Sequence, residues 1–226
     1  MSQKPLSVLY EDNHLLVVNK PNGILSQGDN TGDKTILDMG KDYIKQKYNK
    51  PGDVFLHPVS RIDRPVSGAI ILARTSKGLS RMTSLIKERQ IEKRYTAIVV
   101  GRPTMAEDTL EHYLLKIQMN NTVKVVKSGT AKAKKAILKY ETSYVLKEGA
   151  VLNIQLQTGR PHQIRVQLAK IGHPIIGDGK YGYRSSKHLD FIYLHCRTLR
   201  FEHPVKKEPI LIKAAYPNFP LWRQIK

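Results

Sequence analysis

The run Ala69-Ile70-Ile71-Leu72-Ala73 is unbroken apolar sequence with a β-branched centre, and its length predicts a buried strand rather than a helix. The residues before it are of another kind. His57-Pro58-Val59-Ser60-Arg61-Ile62-Asp63-Arg64-Pro65-Val66-Ser67-Gly68 carries prolines, a glycine and clustered charge, and reads as a loop. On its far side Asp53-Val54-Phe55-Leu56, after the turn Lys50-Pro51-Gly52, predicts a second short strand. A segment held at both ends by core has a fixed position, and this one carries a carboxylate, Asp63, between Arg61 and Arg64. Two nearby guanidinium groups favour the ionised acid even where it is partly desolvated. Such an acid is ready to act as nucleophile or base, and it also describes a structural ion pair.

Charge narrows the choice of partner. The chain of 226 residues has 38 Lys+Arg against 19 Asp+Glu, a formal net charge of +19, which points to a polyanion such as nucleic acid. No long apolar segment or lipidation motif suggests a membrane. With 40% hydrophobic residues the chain can bury a substantial core, and with no Ser/Gly-rich or Pro-rich linker, residues 1–226 read as a single domain. The opening Met-Ser-Gln-Lys-Pro-Leu-Ser-Val-Leu-Tyr lacks the apolar stretch of a signal peptide, so the expected location is cytoplasmic. One cysteine, Cys196, cannot form an internal disulfide and reads as a small core residue. No Cys/His pair has metal-ligand spacing, so no metal is expected, and no glycine loop of a dinucleotide or phosphate site asks for a cofactor.

The remaining elements follow from period and punctuation. Val8-Leu9-Tyr10 and Leu15 to Lys20 predict two strands joined by a polar turn, and Lys20-Pro21-Asn22-Gly23 turns the chain in a structural role. Thr35 to Tyr48 has helical spacing, as does the stretch after Thr75 or Ser76, with Leu79, Met82, Leu85 and Ile86 inward. Glu92 to Gly101 predicts a strand in which Tyr95, on its own, is an ordinary half-buried aromatic. From Lys124 to Lys139 lysines alternate with apolar residues. Antiparallel strands with one basic face are expected there, tracking a phosphate backbone or protecting a solvated edge with equal plausibility. Leu138–Val145 and Val151–Gln157 read as a hairpin, and the tail from Tyr216 is expected on the surface.

A second chemical stretch is Thr158-Gly159-Arg160-Pro161-His162-Gln163-Ile164-Arg165. Pro161 suits the first turn of a helix whose buried stripe is Ile164, Leu168 and Ile171, and Gly172 ends it. His162 and Arg165, three apart, share a face near the helix N-terminus, where anions are favoured; unaided, this reads as a phosphate clamp.

The pattern His-Pro-x-x-Arg-Ile-Asp-Arg-x-x-Ser-Gly at 57–68 resembles the signature loop of the RluA-type pseudouridine synthases. Three further stretches resemble family motifs in the same order: Tyr10 to Gly23, Lys93-x-Tyr95-x-Ala97-x-Val99-x-Gly101, and Thr158 to Arg165, with His173 to Gly182 continuing the likeness as a cleft-closing loop. The resemblance implies an α+β pseudouridine synthase fold, a mixed, largely antiparallel central sheet flanked by helices and loops, with an active-site cleft across the sheet. It implies that Asp63 is catalytic, acting at C1′, at the base or along a glycal route. It further implies that Tyr95 stacks on the target base and that Arg165 pairs with Asp63. Arg61 is a candidate wedge for the vacated stack, and Arg64, Arg160 and His162 are candidate RNA contacts. The implied partner is ribosomal or transfer RNA, with a monomer acting without cofactor. The opening motif falls so near residue 1 that no S4-like RNA-binding domain is expected before it. Two other classes stand beside this one: an RNA-binding module that has lost activity, which predicts departures at Asp63, Tyr95 or Arg165, and a metal-dependent RNA hydrolase, which needs clustered ligands.

Overall fold

The computed structural model describes residues 5–29, 31–185 and 189–225; the first four residues, part of the stretch read above as leaderless, lie outside the described residues. In chain order the elements are β1 (Val8–Glu11), β2 (Leu15–Lys20), α1 (Ile36–Lys47), β3 (His57–Pro58), β4 (Ser67–Ala73), α2 (Ser76–Lys87), β5 (Glu92–Val100), β6 (Glu107–Ile117), β7 (Thr122–Val126), β8 (Lys134–Leu146), β9 (Gly149–Leu156), α3 (Gln163–Lys170), β10 (Leu194–Glu202) and β11 (Pro209–Lys213). They form two compact units, Met1–Glu92 with Cys196–Pro217 and Lys93–His195 with Asn218–Lys226. Each unit draws on two separate stretches of chain, which is why no linker marks a boundary in the sequence.

In the first unit the strand order is β1-β2-β4-β10, with β3 beside β4 and β11 beside β10. All seven residues of β4 are buried, as its unbroken apolar run requires. Leu16, Val18, Ile70 and Leu72 form one face and pack with Ile36, Ile44 and Leu56 against α1. That helix starts at a capping box: Thr35 Oγ1 accepts from Asp38 N at 3.1 Å and Asp38 Oδ2 accepts from Thr35 N at 2.9 Å. Thr75 caps α2 in the simpler way, its hydroxyl accepting from Gly78 N at 3.0 Å. Gly68, at the start of β4, has φ +118°, and a Cβ there would lie 2.4 Å from the backbone N and O of Cys196. Only glycine lets β4 and β10 meet at that point.

The strand expected at Asp53–Leu56 does not form. Those residues are irregular, with Leu56 buried and Val54 packed on the same core, and the ladder to β4 is made instead by His57 opposite Ala73 and Pro58 opposite Leu72. Burying two side chains anchors the run without backbone pairing, so an apolar tetrapeptide need not be a strand.

In the second unit the order is β5-β9-β8-β6-β7, each neighbour antiparallel. The helix α3 packs there through Val166 onto Leu114, Val123 and Ala136. Three expectations are corrected in this unit. Pro161 lies outside α3, because His162 takes a left-handed conformation (φ 51°) and the helix begins at Gln163; it is then buried from Gln163 through Leu168 rather than along a stripe. The tail is only partly on the surface: Asn218, Pro220, Arg223 and Gln224 are exposed, but Trp222 is 2% exposed, with its ring 5.5 Å from that of Tyr193 and 6.0 Å from that of His195. A large indole finds more favourable burial than a Pro-rich surface segment can offer it. The lysines do not share one face. Lys135 and Lys139 stand opposite Tyr113 and Thr109, whereas Lys134 stands opposite Leu114 on the face that meets α3.

Candidate active site

The Asp63 loop is built against residues 20–26 by backbone bonds. Ser26 Oγ donates to Ile62 O at 2.7 Å and accepts from Ile62 N at 3.2 Å, while Ile62 itself is buried. Gly23 N donates to Arg64 O at 2.9 Å, Asn22 Nδ2 to Pro65 O at 2.7 Å, and Val66 N to Asp63 O at 3.0 Å, which closes a turn around the acid. At the centre lies Lys20, 0% exposed, whose ammonium donates to Ile24 O at 2.6 Å, Pro21 O at 3.0 Å and Arg64 O at 3.2 Å. Burial pushes the Lys20 ammonium down to about 7, opposed by the Asp63 charge and reinforced by Arg64. Lys-Pro-Asn-Gly, given only a structural role from sequence, is thus the platform of the loop. The signal was the position of a lysine at the end of a largely apolar strand, Leu15–Lys20, where a buried ammonium must satisfy three donors.

Asp63 is half-buried and Arg61 is exposed. Arg64 Nε donates to Gly23 O at 3.0 Å and its Nη2 pairs with Asp33 at 2.8 Å. Within this unit the Asp63 charge acts on the buried Lys20 ammonium.

The other candidate residues lie in the second unit. Tyr95 is 8% exposed in β5, opposite Ile154 of β9. Arg165, one turn into α3, is buried and gives two of its five donors to Asp178, Nε to Oδ2 at 2.7 Å and Nη2 to Oδ1 at 2.8 Å. Its guanidinium stacks 5.0 Å from the ring centre of Tyr181, and Tyr181 Oη lies 2.6 Å from His162 Nδ1 while accepting from Val123 N at 2.9 Å. Asp178 and Tyr181 lie in the 173–182 segment, for which the motif resemblance implies only a closing loop. A buried guanidinium calls for a carboxylate, but the burial of Arg165 is seen only in the fold. Arg160 is tied down as well: Nε donates to Lys135 O at 3.0 Å and its backbone N to Gln163 Oε1 at 2.9 Å, and Gln163 in turn accepts from Thr158 Oγ1 at 2.8 Å.

Among the described residues no three His, Cys, Asp or Glu side chains come together in a way that could hold a metal ion. No helix among them is long and apolar enough to cross a membrane.

Comparison with known proteins bears on the family and the fold. A family model described as RNA pseudouridylate synthase matches residues 14–170. An uncharacterized RNA pseudouridine synthase of Mycoplasma genitalium is 32% identical over 206 residues, spanning 91% of this chain and 65% of that protein. The ribosomal large subunit pseudouridine synthase D of Vibrio cholerae is 29% identical over 228 residues, spanning 95% of this chain and 68% of its own length. The chain therefore covers about two-thirds of these relatives. Among solved structures, human RNA pseudouridylate synthase domain containing 4 superposes with a TM-score of 0.79 at 22% identity, covering 96% of this chain and 90% of the other, so the fold is shared.

Proposed function

The chain belongs to the RNA pseudouridylate synthase family, and from that premise we propose that it isomerises uridine to pseudouridine in ribosomal or transfer RNA. The reaction breaks the bond from ribose C1′ to N1, turns the uracil and joins C1′ to C5. The C5 proton leaves and N1 gains one, so no electrons are exchanged with another molecule. The uridine must first leave its stack, and a half-buried acid on a rigid loop is suited to meet it.

In this reading Asp63 acts on the ribosyl part of the everted nucleotide, as a carboxylate does in glycoside chemistry. Tyr95 stacks on the base and Arg165 pairs with Asp63. Arg61 fills the vacated stack, and Arg160 and His162 contact the RNA with Arg64 at the rim. The protein works in the cytoplasm as a monomer. The observation that supports this most is the platform under Asp63: every backbone bond named above fixes where the carboxylate stands without using the carboxylate itself.

Incubation with bulk ribosomal and transfer RNA carrying tritium at uridine C5 tests the proposal. Tritium should be released, the RNA should stay intact, and added chelator should not slow the release. No release from either RNA would overturn it in favour of a binding module, and chelator-sensitive cleavage in favour of a hydrolase. Pseudouridine mapping in cells with and without the protein identifies the target.

A further inference from the structure

Between His112 and Tyr140 the sequence has seven lysines and no Asp or Glu. The structure divides them. Lys135 pairs with Glu111 at 2.6 Å and Lys139 with Glu107 at 2.8 Å, toward the base of the β6–β8 ribbon. Lys116, Lys124, Lys127, Lys132 and Lys134 are all exposed around its far end, on β6, on β7, in the β7–β8 turn and at the start of β8. A lysine that only kept the outermost strand β7 from pairing with another chain would sit on β7, and of these five only Lys124 does.

The tip is held in place. Thr130 donates to Lys127 O from Oγ1 at 2.8 Å, Ala133 N donates to Thr130 O at 3.1 Å, and Gly129 takes φ +83° to close the turn. The ribbon is also tied to the α3 region by Val123 N to Tyr181 Oη, by Arg160 Nε to Lys135 O, and by Gln167 Nε2 to Leu110 O at 3.1 Å. Lys116 and Lys134 lie on the same face of the ribbon as Leu114, Val123 and Val125, the face that packs on α3. The collar of charge therefore has a fixed place relative to Arg165.

We propose that this lysine tip is a second RNA-binding surface, which grips backbone phosphates of the strand away from the reacting uridine. It rests on the reading of the protein as an RNA pseudouridine synthase. Ammonium groups on a rigid tip, without carboxylates among them, suit a polyanion of regular charge spacing. They act on binding and not on chemistry.

The triple variant K124E/K127E/K132E, all at exposed positions, tests this with bulk C5-tritiated RNA across a salt series. KM should rise about tenfold or more with kcat unchanged, and the slope of log(kcat/KM) against log salt should flatten by about 2. Filter binding of the same RNA should weaken in parallel. Unchanged KM, binding and salt slope would overturn the proposal, as would a fall in kcat at constant KM. Absence of tritium release from the wild-type protein would instead refute the enzymatic reading, and filter binding would still report on the tip.

Discussion

The Asp63 loop and the Arg165 helix are secured by opposite means. Around Asp63 the bonds run from backbone carbonyls and amides to Lys20, Asn22, Gly23 and Ser26, while the arginines on either side are exposed. At Arg165 the functional side chain is itself part of the scaffold, buried in a two-bond pair with Asp178 and stacked on Tyr181. The loop that carries residue 63 is therefore supported by bonds that its acid does not make. At residue 165 chemistry cannot be separated from the fold of its unit.

Four substitutions and conditions probe this contrast, beginning with the largest effect. D178N strands a buried guanidinium, and urea unfolding should give a loss of about 3–5 kcal/mol; a loss below about 1 kcal/mol would break the contrast from the Arg165 side. K20M removes the donor to three carbonyls but also removes a buried charge. It should lower kcat about tenfold to a hundredfold with little change in thermal midpoint, because a displaced loop misaligns its acid. An unchanged kcat would mean that the platform does not position Asp63.

The same lysine sharpens the contrast through pH. The unfolded chain holds the Lys20 proton up to its ordinary value of 10.5, whereas the folded protein releases it near 7. Between those values the unfolded state binds more protons, so Lys20 makes stability rise with pH, and the full cost of burying the ammonium is felt below about 7. Wild type should therefore gain on K20M as unfolding is measured from about pH 7 to about pH 10, and parallel pH profiles would contradict this. The smallest effect belongs to R64A. Its partner Asp33 and its own side chain are half exposed, so the lost pair is worth less than about 1 kcal/mol, and a larger loss in urea would show that the rim of the loop carries weight.

Legibility followed the range of the forces involved. β4 and α1 were readable because a run such as Ala69–Ala73, or a stripe such as Ile36, Met39 and Tyr43, contains its own period. Asp53–Leu56 was misread because burial of Val54 and Leu56 needs no ladder. Trp222 has no periodic neighbours to announce a buried position. Asp63, Tyr95 and Arg165 stood out through motif resemblance. Lys20 and Asp178 did not, because their roles depend on residues distant in the chain: Arg64 lies 44 residues from Lys20, and Arg165 lies 13 from Asp178. Arg64 is exposed, and its bonds to Gly23 O and Asp33 join it to residues about 30 to 40 positions away, which local sequence does not announce.

The carboxylate of residue 63 carries the proposed reaction, and D63N tests it most directly. The variant should fold and bind bulk RNA, yet release no tritium from C5-labelled uridine. Release at near wild-type rate from a properly folded D63N protein would contradict the assignment of Asp63 as the reacting acid.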